Sequence, residues 1–441
     1  MMKLAARSGA LTRLPRLATL HRTLSTTTKA TSRFQSTASV PTYEEEEAEW
    51  EAQWLEATEE VYDSSRSFQD SAAGLRQLIK TGLLTHTDLR DHPERFFKAH
   101  RLLARHAVKH GPGFWIRFTV HYNLCFGTVL AVGTPEQVES MATVQANGLL
   151  GCFALTEKLA GVQSGLIVQT KADYDPASQT FALSNVGATE GAYKNWISQG
   201  FVADKAVVLA DLTVAGERKG PHAFLMDMRT NGQLEPGVAT GDMGIKTVGN
   251  DLDNAWIAFD NVKLPRTALL SRYATVSEAG EYQQVSKVKP FEMIGQRLYT
   301  GRVAVAQAAL SYRDQLFQNT QAYADNKAIP SFTSPGGSAP LSTIPQLRSL
   351  LAEAAETASY LEGYVAACET ELVPLLKDGA TPSDELAHRI AVAKVKAVEH
   401  SIDLCWRLKQ EVGSFALMGD SGFGSMDFLQ YGRRNESDPM T

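Results

Sequence analysis

The sequence predicts an α+β multi-domain chain: an N-terminal α-helical domain, a middle antiparallel β-barrel domain and a C-terminal α-helical bundle. Three observations predict it. Apolar residues recur at three- and four-residue steps from about Ser67 to Ala146, the period shortens to that of strands around Gly151, and the helical period returns from Pro290. The segments this gives are residues 1–42, a disordered leader, then 43–148, 149–275 and 276–441. A chain of 441 residues with 44% hydrophobic and 21% charged residues has ordinary globular usage, which excludes collagen-like and fully disordered classes.

The leader stands apart by charge. Lys3, Arg7, Arg13, Arg16, Arg22, Lys29 and Arg33 give residues 1–42 a charge of +7 with no acid, so a chain whose total is −6 carries −13 in the remainder. Leu4, Leu11, Leu14, Leu17, Leu20 and Leu24 are interleaved with those cations, and a Ser/Thr-rich stretch follows. That is the composition of a mitochondrial transit peptide, with a disordered basic tail as the alternative. Arg or Pro interrupts every run that could serve a secretory signal. No window reaches the ~20 uninterrupted apolar residues of a membrane span.

Glu44–Glu47, Glu49 and Glu51 end the basic segment and open a solvated helix. Leu75, Leu78 and Ile79, then Phe96, Phe97, His100 and Leu103, then Val138, Met141 and Val144 mark the helices that follow. His100, His106 and His110 make no convergent metal face with a nearby Cys or Asp, so they read as core or surface histidines. In the β-block, residues 206–210, 223–226 and 255–259 are short, β-rich runs. Turns bound them at Tyr174-Asp175-Pro176, Ala215-Gly216, Asn231-Gly232 and Glu235-Pro236-Gly237. Strands that short, at such spacing, imply an antiparallel barrel or sandwich rather than a parallel sheet.

In the last block Leu347, Leu350, Leu351, Ala354, Ala358, Leu361 and Val365 share one helical face. Leu386, Ile390, Ala393, Ala397, Leu404 and Leu408 mark another, and residues 330–345 form a Pro/Gly/Ser-rich loop. Neither G-x-G-x-x-G after a strand nor a P-loop is present, which argues against those nucleotide sites. A small net charge gives no global field to hold nucleic acid. Cys125, Cys152, Cys368 and Cys405 are too scattered for a zinc site or a disulfide framework.

Two words in the β-block are recognisable. Gly151-Cys152-Phe153-Ala154-Leu155-Thr156-Glu157-Lys158-Leu159-Ala160-Gly161 and Lys194-Asn195-Trp196-Ile197-Ser198-Gln199-Gly200 resemble flavin-binding strands of the acyl-CoA dehydrogenase and acyl-CoA oxidase superfamily. Pro236-Gly237-Val238, Gly241-Asp242-Met243-Gly244, Asp253-Asn254, Phe259-Asp260-Asn261-Val262, Leu264-Pro265-Arg266 and Leu269-Leu270-Ser271-Arg272-Tyr273 are similar to the oxidase branch. The resemblance covers roughly residues 67–441, without the additional C-terminal helical domain of typical oxidases.

The resemblance implies FAD. An isoalloxazine needs a flat slot, donors at its electron-accepting edge and an aromatic wall against water. Phe153 and Leu155 can line that slot by strand alternation and Thr156 offers a hydroxyl and backbone N–H to the pyrimidine edge. By analogy Trp196 shields the ring and Ser198 hydrogen-bonds near N5. The family's loop serine that meets the pyrophosphate is replaced here by Val162-Gln163. The bundle's Tyr-x-x-x-Arg-x-x-Phe appears as Tyr323 to Pro330, where Lys327 keeps the charge that reaches a partner's cofactor but not the bidentate fork. Gln410 and Gly413 belong to the turn Gln410–Leu417 that corresponds to the family's Gly-rich turn.

Desaturating an acyl-CoA requires removing an α-proton acidified by the thioester while the β-hydrogen leaves as hydride. A carboxylate whose pKa rises on desolvation suits this. Glu436, nineteen positions beyond Leu417, is the candidate base, and Glu292 the second candidate. Arg302 matches an oxidase-branch Gly-Arg with a structural, cofactor or substrate role. The resemblance therefore implies an FAD-dependent acyl-CoA oxidase of fatty acid β-oxidation that forms trans-2-enoyl-CoA and passes electrons to oxygen. Two alternatives stand beside it: a dehydrogenase that reduces electron-transfer flavoprotein, and a catalytically inactive scaffold of the same fold. It further implies a homodimer or homotetramer. The leader points to the mitochondrial matrix, the family to the peroxisome.

Overall fold

Residues 42–62, 67–110, 112–160, 168–186, 192–287, 290–331, 333 and 335–434 are described by a computed structural model of the chain. It divides into two units, Met1–Glu46 and Glu47–Thr441. In the first, the Thr42 amide donates to Glu45 Oε2 at 2.8 Å and the Glu45 amide to Thr42 Oγ1 at 3.3 Å, a reciprocal cap that starts a helix at the acidic run. That helix, α1, spans Tyr43–Tyr62. Residues 1–41, where a transit peptide is expected, lie outside the described residues.

The second unit begins all-helical. After α1 come α2 (Phe68–Lys80), α3 (Asp88–Asp91), α4 (Pro93–His110) and α5 (Gly113–Thr119), then a π-helical turn (Val120–Phe126), α6 (Gly127–Val132) and α7 (Pro135–Ala146). Ser67 caps α2, and Thr134 with Gln137 forms a capping box on α7. Of the periodic residues read from the sequence, Leu75, Leu78, Ile79, Phe96, Phe97, Leu103, Met141 and Val144 are buried and Val138 is half-buried against them. His100 is core, with Nδ1 bonded to the Phe96 carbonyl at 2.8 Å.

Fifteen strands are described, thirteen of them before the bundle: β1 (Gly151–Ala154), β2 (Lys171–Asp175), β3 (Thr180–Ser184), β4 (Lys194–Ser198), β5 (Lys205–Val214), β6 (Glu217–Asp227), β7 (Arg229–Thr230), β8 (Gln233–Leu234), β9 (Val238–Asp242), β10 (Asn254–Phe259), β11 (Val262–Pro265), β12 (Ala274–Val276) and β13 (Tyr282–Gln284). The β5–β6 hairpin turns at Ala215 and Gly216, with φ of 51° and 77°, and β7–β8 at Asn231 and Gly232, with φ of 52° and 81°. Two successive positive φ values match the right-handed twist of the flanking strands, so the short turn words name the hairpins correctly.

The expected closed antiparallel barrel is corrected. Six strands form one open, mixed sheet and β4, β10 and β9 a second, antiparallel one. The ten-residue β5 is long enough to take β1 and β2 end to end along one edge, both parallel, at Lys205–Val208 and Asp211–Thr213. Its other edge takes β6. Between β6 and β11 the wall stays open over a cavity of about 740 Å³ lined by Leu225–Asp227 and Val262–Pro265. Pro265, without an N–H, cannot complete a ladder there.

The bundle consists of α8 (Pro290–Asn326), a small hairpin of β14 (Ala328–Pro330) and β15 (Ser338–Pro340), α9 (Pro345–Asp378), α10 (Asp384–Glu411) and α11 (Phe428–Arg434). α8 packs on α4, α9 and α10. α11 is pinned by Phe428, whose ring sits 5.4 Å from Tyr312 and 5.7 Å from Trp115. Among the described residues, no helix is long and apolar enough to cross a membrane. The four cysteines are free and buried.

One cation ties the helical block to the strands. Arg117 of α5 is fully buried and its Nη2 meets Asp253 Oδ1 at 2.9 Å. Its remaining donors reach Ser71 Oγ, Gln199 Oε1 and the carbonyls of Phe68 and Asp251. Asp251 in turn accepts the amides of Gly113 and Phe114 at the start of α5. Losing one partner strands the other charge in the interior, so Arg117→Leu is expected to cost about 3–5 kcal/mol, measured by denaturant unfolding. A Cβ on Gly113 would fall 2.4 Å from Asp251 Oδ1, and Gly113→Ala is expected to lose stability by the same route. Wild-type unfolding midpoints in both variants would mean that Arg117 does not hold the helices on the strands.

Candidate functional site

Strand β1 carries its side chains to two different cores. Cys152 and Ala154 face the interior of the β-domain, whereas Phe153 and the partly buried Leu155 pack with the helical core, so the alternation puts Phe153 and Leu155 on one side. The strand is held at its first residue from both directions. The Gly151 amide donates to His121 Nδ1 at 3.1 Å and its carbonyl accepts from Gln199 Nε2 at 2.7 Å.

Beyond Leu155 the chain runs antiparallel beside β4. The Asn195 amide donates to the Thr156 carbonyl at 2.9 Å, and the Lys158 amide to the Tyr193 carbonyl at 3.1 Å. Between these, Glu157 and Lys194 are bridged partners and their side chains form an ion pair at 2.8 Å, both fully buried. Burial pushes the Lys194 ammonium down to about 8 although Glu157 opposes it. Burial alone would raise the Glu157 carboxyl, but Lys194 and Thr170 hold it below its ordinary value.

Trp196 sits on a β-bulge. Ala255 pairs with Ile197 and Ile257 with Lys194, so Asn195 and Trp196 together oppose Trp256. The extra residue gives Trp196 a φ of +56° and turns its indole outward, 54% exposed. A bulky side chain in that region is a strained backbone position, of the kind found where a side chain is aimed for a purpose. Two residues on, the Ser198 hydroxyl accepts from Asn254 Nδ2 at 3.1 Å, while Asn254 Oδ1 is buried with no partner among the described residues. An outward aromatic face, a half-buried threonine and an orphaned acceptor beside a serine hydroxyl fit a flat, polar-edged ring such as a flavin.

Lys327, Gln410 and Gly413 are grouped at one end of the bundle. The rings of Tyr323, at the end of α8, and Phe415, in the turn after α10, stack with centroids 3.9 Å apart and planes 9° from parallel. Lys327 lies one turn beyond Tyr323, and Gly413 opens the turn with a φ of +69°. All three residues are exposed. Glu436 and the Val162-Gln163 departure lie outside the described residues, as does the side chain of Glu292; α11 ends at Arg434. Arg302 is buried, its guanidinium 5.3 Å from the centre of the Tyr299 ring.

Sequence reasoning quoted the words containing Glu157 and Lys194 but gave those residues no part. The available signal was a charge set in each otherwise strand-like word, Glu157 beside Lys158 in the first and Lys194 in the second. Arg117, His121 and Gln199 were missed for lack of any local signal.

No protein-family model matches the chain. Acyl-coenzyme A oxidase 1 of Yarrowia lipolytica is 36% identical over 173 residues, which is 37% of this chain and 24% of that protein. Peroxisomal acyl-coenzyme A oxidase 3 of Homo sapiens is 34% identical over 201 residues, 43% of this chain and 28% of that one. The chain thus matches only about a quarter of the length of these relatives. The crystal structure of the Yarrowia oxidase 1 superposes with a TM-score of 0.71 at 23% identity over 89% of this chain and 60% of that one. Acyl-CoA oxidase-2 of Caenorhabditis elegans, solved with FAD, ascaroside-CoA and ATP, gives 0.70 at 20% identity over 88% and 60%. Glutaryl-CoA dehydrogenase of Mycobacterium smegmatis gives 0.67 at 18% identity, over 91% of this chain and 92% of that one.

The clamp on Gly151 needs a neutral imidazole, since Nδ1 must accept. Burial pushes His121 and His100 each down to about 3. With the folded value below the unfolded one, the stability they contribute is full above about pH 6.5 and is lost as pH falls toward 3. Between about pH 6.5 and 5 the loss is expected to be about 2 kcal/mol per histidine. Urea unfolding across that range should show a shallower pH slope in His121→Gln than in the wild type; equal slopes would assign the acid sensitivity elsewhere.

Proposed function

We propose that this chain, a member of the acyl-CoA oxidase and dehydrogenase superfamily, is an FAD-dependent enzyme that converts acyl-CoA to trans-2-enoyl-CoA and passes the electrons to oxygen. The observation that carries the reading is the pairing of the Thr156 segment with β4, which places Thr156, the outward Trp196 and Ser198 on neighbouring stretches of backbone. The oxidase relatives supply the chemistry that such an edge would serve.

Phe153 and Leu155 would line the slot, Thr156 would address the pyrimidine edge, and Trp196 would exclude water from one face. Ser198, oriented by Asn254, would hydrogen-bond near N5. Lys327, Gln410 and Gly413 would meet the cofactor at the bundle end, with Lys327 reaching that of a second subunit in a homodimer or homotetramer. When bound, FAD supplies an acceptor for the β-hydrogen, which leaves as hydride. Glu436 takes the α-proton, and the electron pair released from that C–H bond becomes the new double bond. Its own backbone N–H would hold the thioester oxygen where enolate charge develops. Glu292 is the second candidate for the base.

The reading that electrons go instead to electron-transfer flavoprotein is supported by the basic, acid-poor leader, since a mitochondrial address suits a dehydrogenase. Lys327 in place of the family's arginine is what a catalytically inactive scaffold would also show. As for location, the leader's composition supports mitochondrial import and the human relative's name supports the peroxisome. A fluorescent protein fused to residues 1–42 decides between them by where it accumulates.

The purified protein is expected to be yellow and to bleach when a long-chain acyl-CoA is added without air. Glu436→Gln should abolish the bleaching; if it persists, the base is Glu292 or another group. Peroxide formed on admitting air supports the oxidase, dye reduction without peroxide the dehydrogenase, and a colourless folded protein the scaffold.

A further inference from the structure

We propose that the buried Glu157–Lys194 pair is the positioning device of the flavin-facing edge, fixing Thr156 against the strand that carries Trp196 and Ser198. The inference rests on the FAD reading above and adds to it the residues that set the edge's geometry from behind.

Both ions are saturated by groups from different parts of the fold. An ammonium has three N–H donors, and those of Lys194 go to Glu157 Oε1 at 2.8 Å, the Leu155 carbonyl at 3.2 Å and the Leu209 carbonyl at 2.7 Å. Leu209 belongs to β5 in the six-stranded sheet, while Lys194 belongs to β4 in the three-stranded one. The lysine therefore bolts the two sheets together at the point where the Thr156 segment crosses. Glu157 takes the Lys194 proton donor and the Gln169 amide at 2.7 Å, together with the amide and hydroxyl of Thr170 at 2.9 and 2.7 Å. Those donors lead into β2.

Two further points separate positioning from stabilisation. A buried ion pair adds little net stability compared with apolar side chains of similar volume, because desolvation offsets the attraction. What it adds is direction: the donors gathered on the carboxylate and the acceptors around the ammonium fix how the segments meet. Strand alternation then points Thr156 away from this anchor, and the bulge that begins right after Lys194 turns Trp196 outward from a fixed base.

The pair holds only while Lys194 is protonated. Among the described residues, Glu157 is the ionisable group that faces its charge, and the carbonyls of Leu155 and Leu209 take its other donors. As pH rises past about 8 the ammonium is lost and the segments are released from each other. Overall stability does not fall with it. The folded value lies below the unfolded one, so losing that proton relieves the burial of charge, and unfolding free energy rises with pH over this range.

The test is FAD titration of the apoprotein, followed by flavin fluorescence across neutral to alkaline pH, with thermal melting of the apoprotein in parallel. The wild type is expected to lose affinity above about pH 8 while its melting temperature holds. Glu157→Leu with Lys194→Met in one chain should melt like the wild type, bind FAD on the order of 10–100-fold more weakly, the scale for side chains that orient ligand-holding groups from behind, and show no alkaline decline. Unchanged affinity, or a loss matched by an equal fall in melting temperature, would overturn the positioning role. If that double variant does not fold, Lys194→Arg, which stays charged, decides by whether the alkaline decline disappears; a decline that persists overturns the proposal. A wild type that takes up no flavin at any pH would instead sink the FAD reading itself.

Discussion

A guanidinium in a dry interior must have its donors met, and the way Arg117 meets them dictates how the helical block can sit on the strands. Its partners come from the first turn of α2, the residue after β4 and the stretch before β10. Asp253 uses its second oxygen on the amides of Phe201 and Val202, so the same charge that anchors the helices also shapes the turn after β4. Gln199 passes the constraint on, because the side chain that accepts from Arg117 donates to the carbonyl of Gly151. Helix α5, the turn after β4 and the start of β1 are therefore one connected polar framework rather than three packed pieces, and removing charge at its centre leaves every member with a broken bond.

Periodicity made the local elements legible. The stripes on α9 and α10 were readable because Leu347, Leu350, Ala354 and Val365, and then Leu386, Ile390, Ala393, Ala397, Leu404 and Leu408, are buried at helical spacing. The hairpin turns at Ala215-Gly216 and Asn231-Gly232 were readable because positive φ selects few residues. Sheet closure was not readable. Whether β1 and β2 pair in parallel with β5 depends on the length of β5 and on partners separated by up to 54 positions in register, such as Gly151 with Lys205, and no local word encodes that. The same distance hides the ion pairs: Lys194 is 37 positions from Glu157 and Arg117 is 136 from Asp253.

The candidate site divides along the same line. The strand words containing Phe153, Leu155, Thr156, Trp196 and Ser198 stand out through resemblance, and Phe153 and Leu155 pack on the same side of the strand. The outward turn of Trp196 was not, since a run reading Lys-Asn-Trp-Ile-Ser looks like an unbroken strand and gives no sign of a bulge. Only the register of β10, where one residue opposes two, explains why an aromatic side chain at the middle of a buried word stands in solvent.

Gly151 shows why a motif residue can be fixed by packing while it looks chemical. A four-residue strand such as β1 offers too short a ladder to hold its own first residue. Here the His121 and Gln199 side chains take over, one from the π-helical turn and one from the residue after β4. Both can reach the backbone only because nothing projects from it. A Cβ at Gly151 would lie 2.3 Å from Cys125 Sγ and push the π-helical turn, with His121, away from the strand. His121 and Cys125 lie four positions apart in the π-helical turn, close to one full turn, and both face the start of β1. The glycine at the head of the flavin-like word thus serves the clamp behind the site, and the groups that would touch a cofactor begin two residues later, at Phe153.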